Sequence, residues 1–190
     1  MSQPWTHTAG AVAYPRVSEH YVEPHWCSVR LFEEEKFVPG IYDPACGFGR
    51  IVMSAINARL DGYGCDIADR EPFRIPIPED FLKHTGRHNN IVSNPPFDIF
   101  MDFADHALAL AKYKVALIMP TARLNAARWL QRTPLRRVWL MTPRPSMPPG
   151  HLITAKGRVS GGKSDYCWLV FEHGYNGAPE LKWLVRDDAP

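Results

Sequence analysis

Apolar residues recur along this chain in two rhythms, short uninterrupted runs and helical spacings, and the two alternate. His25 to Lys36 reads as a helix introduced by Pro24, followed by a short apolar run from Gly40 to Tyr42 that ends at Asp43. Ile51, Ala55, Ile56 and Leu60 fall at helical spacing, and Tyr63 to Ile67 is a strand candidate. Ile91 to Ser93 is a third strand, stopped by Pro95 and Pro96. Asp98 to Tyr113 predicts a helix with Phe103, Ala107, Leu110 and Ala111 on one face. The remaining pattern predicts a strand at Val115–Met119, a helix at Thr121–Gln131 and a strand at Val138–Met141. A strong strand at Tyr166–Phe171 and a weaker one at Leu181–Val185 close the chain.

Alternation of this kind implies an α/β fold with a mostly parallel sheet and helices on both faces. The pattern predicts one domain over residues 1–190, with an irregular segment at 1–20. Residues 70–79 are a Pro-rich loop, and residues 142–163, with Pro143, Pro145, Pro148, Pro149 and Gly150, are expected to form a long flexible one. Ligands of such sheets bind outside the carboxyl ends of the strands, where the strand order switches. Two unusual segments, 43–49 and 93–97, lie at such ends.

Composition changes this picture little. Of the 190 residues, 45% are hydrophobic and 22% charged, and no apolar run is long enough to span a bilayer. Met1 to Gly10 lacks a basic region leading into an apolar run, so a cytoplasmic protein is expected. Cys27, Cys46, Cys65 and Cys167 show no metal-site spacing and are expected to be buried free thiols; no metal is expected. Charge is more informative. Residues 1–111 balance at −6 and residues 112–190 at +8, which implies a basic face suited to a polyanion, or else a scattered set of solvated arginines.

Asp43-Pro44-Ala45-Cys46-Gly47-Phe48-Gly49 lies between a strand and a helix. Gly47 and Gly49 permit a sharp turn and close backbone approach to a ligand. Asp66, at the end of the next strand, stands about 20 residues on, the separation expected of a carboxylate that takes ribose hydroxyls. It could equally cap a turn. No phosphate-cradling Gly-Lys-Ser/Thr is present.

Ser93-Asn94-Pro95-Pro96-Phe97 follows the third strand. Two prolines fix the backbone, so that an Asn side-chain oxygen and a neighbouring carbonyl are held as convergent acceptors. Such a pair can grip both hydrogens of an amine, and Phe97 offers a flat face on which a base can stack. A Pro-Pro turn capped by Asn is the plainer alternative.

The two segments together resemble the cofactor and catalytic motifs of N6-adenine DNA methyltransferases, in the order of small bacterial and phage members. Tyr21-Val22-Glu23-Pro24 is similar to the family's Tyr-x-Thr-Pro element, with Glu23 in place of Thr. Asp80-Phe81-Leu82 resembles the element that holds the cofactor's adenine amine, and Pro143-Arg144-Pro145 and Asp165-Tyr166-Cys167-Trp168 resemble a late loop and strand. The resemblance implies a Rossmann-like class I methyltransferase sheet with an antiparallel C-terminal strand and S-adenosylmethionine as cofactor. It implies Asn94, Pro95, Pro96 and Phe97 as the catalytic segment. It also implies cofactor contacts from Tyr21, Pro24, Asp43, Ala45, Cys46, Gly47, Gly49, Asp66, Ile67, Asp80, Phe81 and Asn94. The reaction implied is direct methyl transfer to the N6 amine of an adenine flipped out of DNA.

Phosphate contacts are expected from among Arg123, Arg128, Arg132, Arg136, Arg137, Arg144, Lys156, Arg158 and Lys163. Met147 is open between a base contact and a surface position. The catalytic fold is expected to leave little room for a separate target-recognition domain, so specificity is expected to be low, to come from the 142–163 loop, or to come from a second subunit, either a specificity partner or a second copy in a homodimer. RNA adenine, a protein glutamine amide and a non-catalytic cofactor-binding subunit are the alternative readings.

Overall fold

Strands and helices alternate from His25 to β4, and strands dominate beyond it, in the computed structural model, which describes residues 21–70, 78–150, 152–153 and 164–187. The elements are α1 (His25–Glu34), β1 (Ile41–Asp43), α2 (Arg50–Asn57), β2 (Gly62–Gly64), β3 (His88–Ser93), α3 (Phe100–Leu110), β4 (Ala111–Pro120), β5 (Leu135–Thr142), β6 (Tyr166–Glu172) and β7 (Glu180–Val185). The expected segment 1–20 and residues 71–77, 151 and 154–163 of the two expected loops lie outside the described residues.

The strands form one seven-stranded sheet in the order β2-β1-β3-β4-β6-β5-β7. β1 pairs in parallel with β2 and β3, and β3 with β4. β6 is antiparallel to both of its neighbours, β4 and β5. The final strand, β7, returns to the common direction and pairs in parallel with β5. This is the mostly parallel α/β sheet that the sequence pattern predicts, with the antiparallel strand being the penultimate one.

Two apolar clusters cover the faces, and the period-2 alternation of the central strands divides them. Val115, Leu117 and Met119 of β4 join Leu169 and Phe171 of β6 under Phe103, Ala104 and Ala107 of α3. Ala116, Ile118, Trp168 and Val170 face the other way, against Cys27 and Leu31 of α1 and Ile51 and Ala55 of α2. Ser28 Oγ donates to Ser54 Oγ at 2.9 Å and fixes α1 on α2. Gly62 and Gly64 let β2 lie close. A Cβ on either would stand 2.4 Å from a backbone oxygen, of Val52 and of Asp43 respectively.

Three expectations require correction. The predicted helix at Thr121–Gln131 is two 3-10 segments, Thr121–Ala126 and Arg128–Arg132. Half-buried positions 121, 124, 127, 130 and 133 recur every third residue, the period of a 3-10 helix, with Trp129 half-buried beside them. The predicted helix at Asp98–Tyr113 ends at Leu110, and Ala111 opens β4, where it pairs with His88. Met147 is not a surface residue. It is 8% exposed and packs into the cluster with Trp139, Met141 and Trp168.

Candidate functional site

β1 and β3 lie side by side, yet the chain visits β2 between them, so the strand order switches here. Both unusual segments leave the sheet at this switch, from Asp43 and from Ser93. The two strand ends are joined directly: Ser93 Oγ donates to Asp43 Oδ1 at 2.7 Å, and the same oxygen accepts the Ala45 N–H at 3.2 Å. Asp43 is 1% exposed. Burial holds its carboxyl well above the usual range, against the pull of the Ser93 hydrogen bond.

The loop 43–49 takes its shape from two left-handed residues, Gly47 at φ 50° and Gly49 at φ 71°. Gly49 caps α2, and its carbonyl accepts the Met53 N–H at 2.8 Å. The Gly47 N–H donates to Asp66 Oδ2 at 2.9 Å. The other oxygen of Asp66 accepts the Ala68 N–H at 3.1 Å and Arg70 Nε at 3.2 Å. Cys46 is buried, and burial pushes its thiol up, which suits packing and not nucleophilic attack. The four cysteines are all buried and free.

Asn94 is held from the N-terminal side. Its Nδ2 donates to the Tyr21 carbonyl at 2.8 Å and to Glu23 Oε2 at 3.0 Å. These bonds spend both amide protons and leave Oδ1 as the acceptor. Glu23 is 7% exposed; burial raises its carboxyl, opposed by its hydrogen bonds and by Arg50. Phe97 lies in an aromatic group with Tyr21 (centroids 6.3 Å apart, planes 14° apart) and Tyr166 (6.0 Å, 31°). Arg123 donates to the Phe97 carbonyl, and its guanidinium carbon is 5.8 Å from the ring centroid.

A cavity of about 360 Å³ joins these parts. It is lined by Tyr21, Asp43, Ala45, Cys46, Gly47, Asp66, Ile67, Asp80 and Phe81 and by the whole segment Asn94 to Phe97. Two residues expected at the cofactor are not in its wall: Pro24 caps α1, and Gly49 shapes the turn behind it. Asp80 caps a 3-10 turn by accepting the Leu82 N–H at 3.1 Å. Among the wall residues that sequence reasoning did not assign are Glu23, Arg50, Arg70 and Glu79. Glu23 carried a signal, its departure from the Thr of the resembling motif.

The basic residues separate. Arg123 and Arg128 are exposed on the 3-10 segments. Arg144 is exposed and forms a two-point ion pair with Asp165, at 2.7 and 3.1 Å. Arg136 and Arg137 sit at the opposite end of the sheet, bonded to Glu172 at 2.6 Å and to Glu35 at 2.8 Å. Both are engaged within the fold: Arg137, with Lys114, partners the buried Glu35, and Arg136 partners Glu172. Lys156, Arg158 and Lys163 lie outside the described residues. No group of three or more His, Cys, Asp or Glu suited to a metal ion occurs among the described residues, and no helix among them is long and apolar enough to cross a membrane.

No protein-family model and no curated protein matches this sequence. Solved structures match its fold. A candidate RNA methyltransferase from Pyrococcus horikoshii is 13% identical with a TM-score of 0.57, over 86% of this chain and 92% of that one. An O-methyltransferase assigned by prediction, from Agrobacterium tumefaciens, is 14% identical with a TM-score of 0.53, over 85% of each chain. Magnesium protoporphyrin IX methyltransferase from Synechocystis PCC 6803, with bound SAM, is 13% identical with a TM-score of 0.50, over 78% of this chain and 79% of that one. At these identities the likeness is one of fold: this chain is built on the Rossmann-like sheet that these proteins share.

Proposed function

We propose that this protein is an S-adenosylmethionine-dependent methyltransferase acting on the exocyclic N6 amine of adenine in DNA. The observation that carries the reading is that the 43–49 turn and the 94–97 segment, distant in sequence, line one cavity at the sheet's switch point. The methyltransferases that share the fold support it, as does the cavity's size, which falls in the range of about 300–1,000 Å³ typical of small-molecule sites. The wall also carries the carboxyls of Asp66 and Asp80, which suits a cofactor carrying positive charge on its sulfur and amino group.

The cofactor, when bound, supplies a methyl group on a sulfonium. Asn94 Oδ1 and the Pro95 carbonyl accept the hydrogens of the substrate amine and aim its lone pair. Pro95 and Pro96 keep that pair of acceptors rigid, so little ordering is left for the moment of reaction. Phe97 stacks on the target base, beside Tyr21 and Tyr166. A planar base fits this aromatic group better than a flexible glutamine amide does. In this reading Arg123, exposed against Phe97, meets a phosphate near the flipped base.

The test is to offer methyl-labelled cofactor with DNA, RNA or protein in parallel. Label in DNA supports the reading. Label in RNA alone, or in protein alone, replaces the substrate. Tight cofactor binding with transfer to none of the three would favour a non-catalytic subunit.

A further inference from the structure

We propose that Glu23 is a positioning residue that decides which end of the Asn94 amide meets the substrate. An Asn amide turned by 180° exchanges an acceptor for a donor of nearly the same shape. Only the acceptor end can grip an amine hydrogen, so a site built on Asn must also specify its orientation. In this chain the specification comes from outside the catalytic segment. One Nδ2 proton goes to the Tyr21 carbonyl at 2.8 Å and the other to Glu23 Oε2 at 3.0 Å. The reversed amide would set Oδ1 against two acceptors.

Glu23 is itself fixed. It is 7% exposed, its backbone carbonyl accepts Arg50 Nη1 at 2.7 Å, and Arg50 stands in the first turn of α2. The Thr of the resembling motif carries a hydroxyl that can donate or accept. Burial works against ionisation of Glu23, and its hydrogen bonds and Arg50 favour it; in the ionised form the carboxylate can only accept, and its hydrogen bonds are the stronger, charge-assisted kind. Glu23 therefore specifies the amide more strictly than the residue it replaces, at the cost of burying a carboxyl beside Asp43.

Two substitutions separate this role from mere packing. Glu23→Met fills the space without an acceptor, and Glu23→Gln restores one. In the ligand-free protein, the Asn94 side-chain amide, identified by its absence in Asn94→Ala, gives a proton pair protected from solvent exchange. Glu23→Met should lose that protection at least tenfold and Glu23→Gln should recover it. In turnover, Glu23→Met should lower kcat by about 10- to 100-fold with the cofactor Kd changed less than threefold, and Glu23→Gln should regain most of the loss. If Glu23→Met does not fold, Glu23→Ala carries the same expectations. Unchanged amide protection, or unchanged kcat, overturns the proposal. The kinetic arm rests on the methyl-transfer reading and the exchange arm does not, so absent turnover with a Glu23-dependent Asn94 amide would fault that reading alone.

Discussion

The backbone N–H of Gly47 donates to the carboxylate of Asp66 across 2.9 Å, joining the turn after β1 to the segment after β2. Removing the carboxylate orphans a buried donor, which costs about 1–3 kcal/mol. Asp66→Ala should therefore lower unfolding free energy by about 2 kcal/mol in urea titration. It should also weaken cofactor binding at least tenfold by calorimetry. Cofactor affinity equal to that of the native protein would remove Asp66 from the site.

Asn94→Ala should lower methyl transfer by about 10²–10³, the scale of losing one preorganised polar contact at a reacting centre. Cofactor affinity should be largely spared. Full activity in this variant would contradict the role of the 94–97 segment.

Arg123 and Arg136 should behave oppositely, although both belong to the basic half of the chain. Arg123→Ala should weaken DNA binding about equally across sequences and reduce the salt slope by about 1. Arg136→Ala should leave the salt slope intact, because its guanidinium is spent on Glu172 and lies over Tyr175. Salt-dependent binding of the two variants checks this directly.

Acid should unfold the protein in two windows. Burial, with His84 beside it, holds the His88 imidazole down at about 4, from an ordinary 6.5. The folded state thus resists protonating His88, and that stability, full above pH 6.5, is lost as pH falls toward 4. Burial works against ionisation of Glu35, but hydrogen bonds from Arg137 and Trp139 and the nearby Lys114 outweigh it and hold the carboxyl below 4.5. Its contribution is present above about pH 4.5 and lost below it. Denaturation against pH should show both windows, and His88→Asn should flatten the upper one. Glu35→Ala should cost about 1–3 kcal/mol at neutral pH, because it leaves the buried Trp139 N–H without its acceptor, while Arg137 and Lys114 keep Glu180 and Glu172.

The site was legible where chemistry forces rare residues into short spans. Asp43 to Gly49 and Asn94 to Phe97 could be read because a left-handed turn needs glycine and a rigid acceptor needs proline. The strands were legible from their apolar runs, although β4 begins at Ala111, where pairing with His88 overrides the helical spacing of 103, 107, 110 and 111. The 3-10 segments were missed because each spans only five or six residues, over which spacings of three and four serve either helix. Glu23 was visible only as a departure from a motif, since its partner Asn94 lies 71 residues away. Arg136 and Arg137 read as part of a polyanion surface because charge alone does not reveal their partners, Glu172 and the buried Glu35.

The central claim is the identity of the methylated atom. Unmethylated DNA incubated with the protein and methyl-labelled S-adenosylmethionine, digested to nucleosides and resolved by mass, should yield labelled N6-methyldeoxyadenosine, lost in Asn94→Ala. Labelled 4-methyldeoxycytidine, or no labelled nucleoside from DNA that binds the protein alongside bound cofactor, would contradict it.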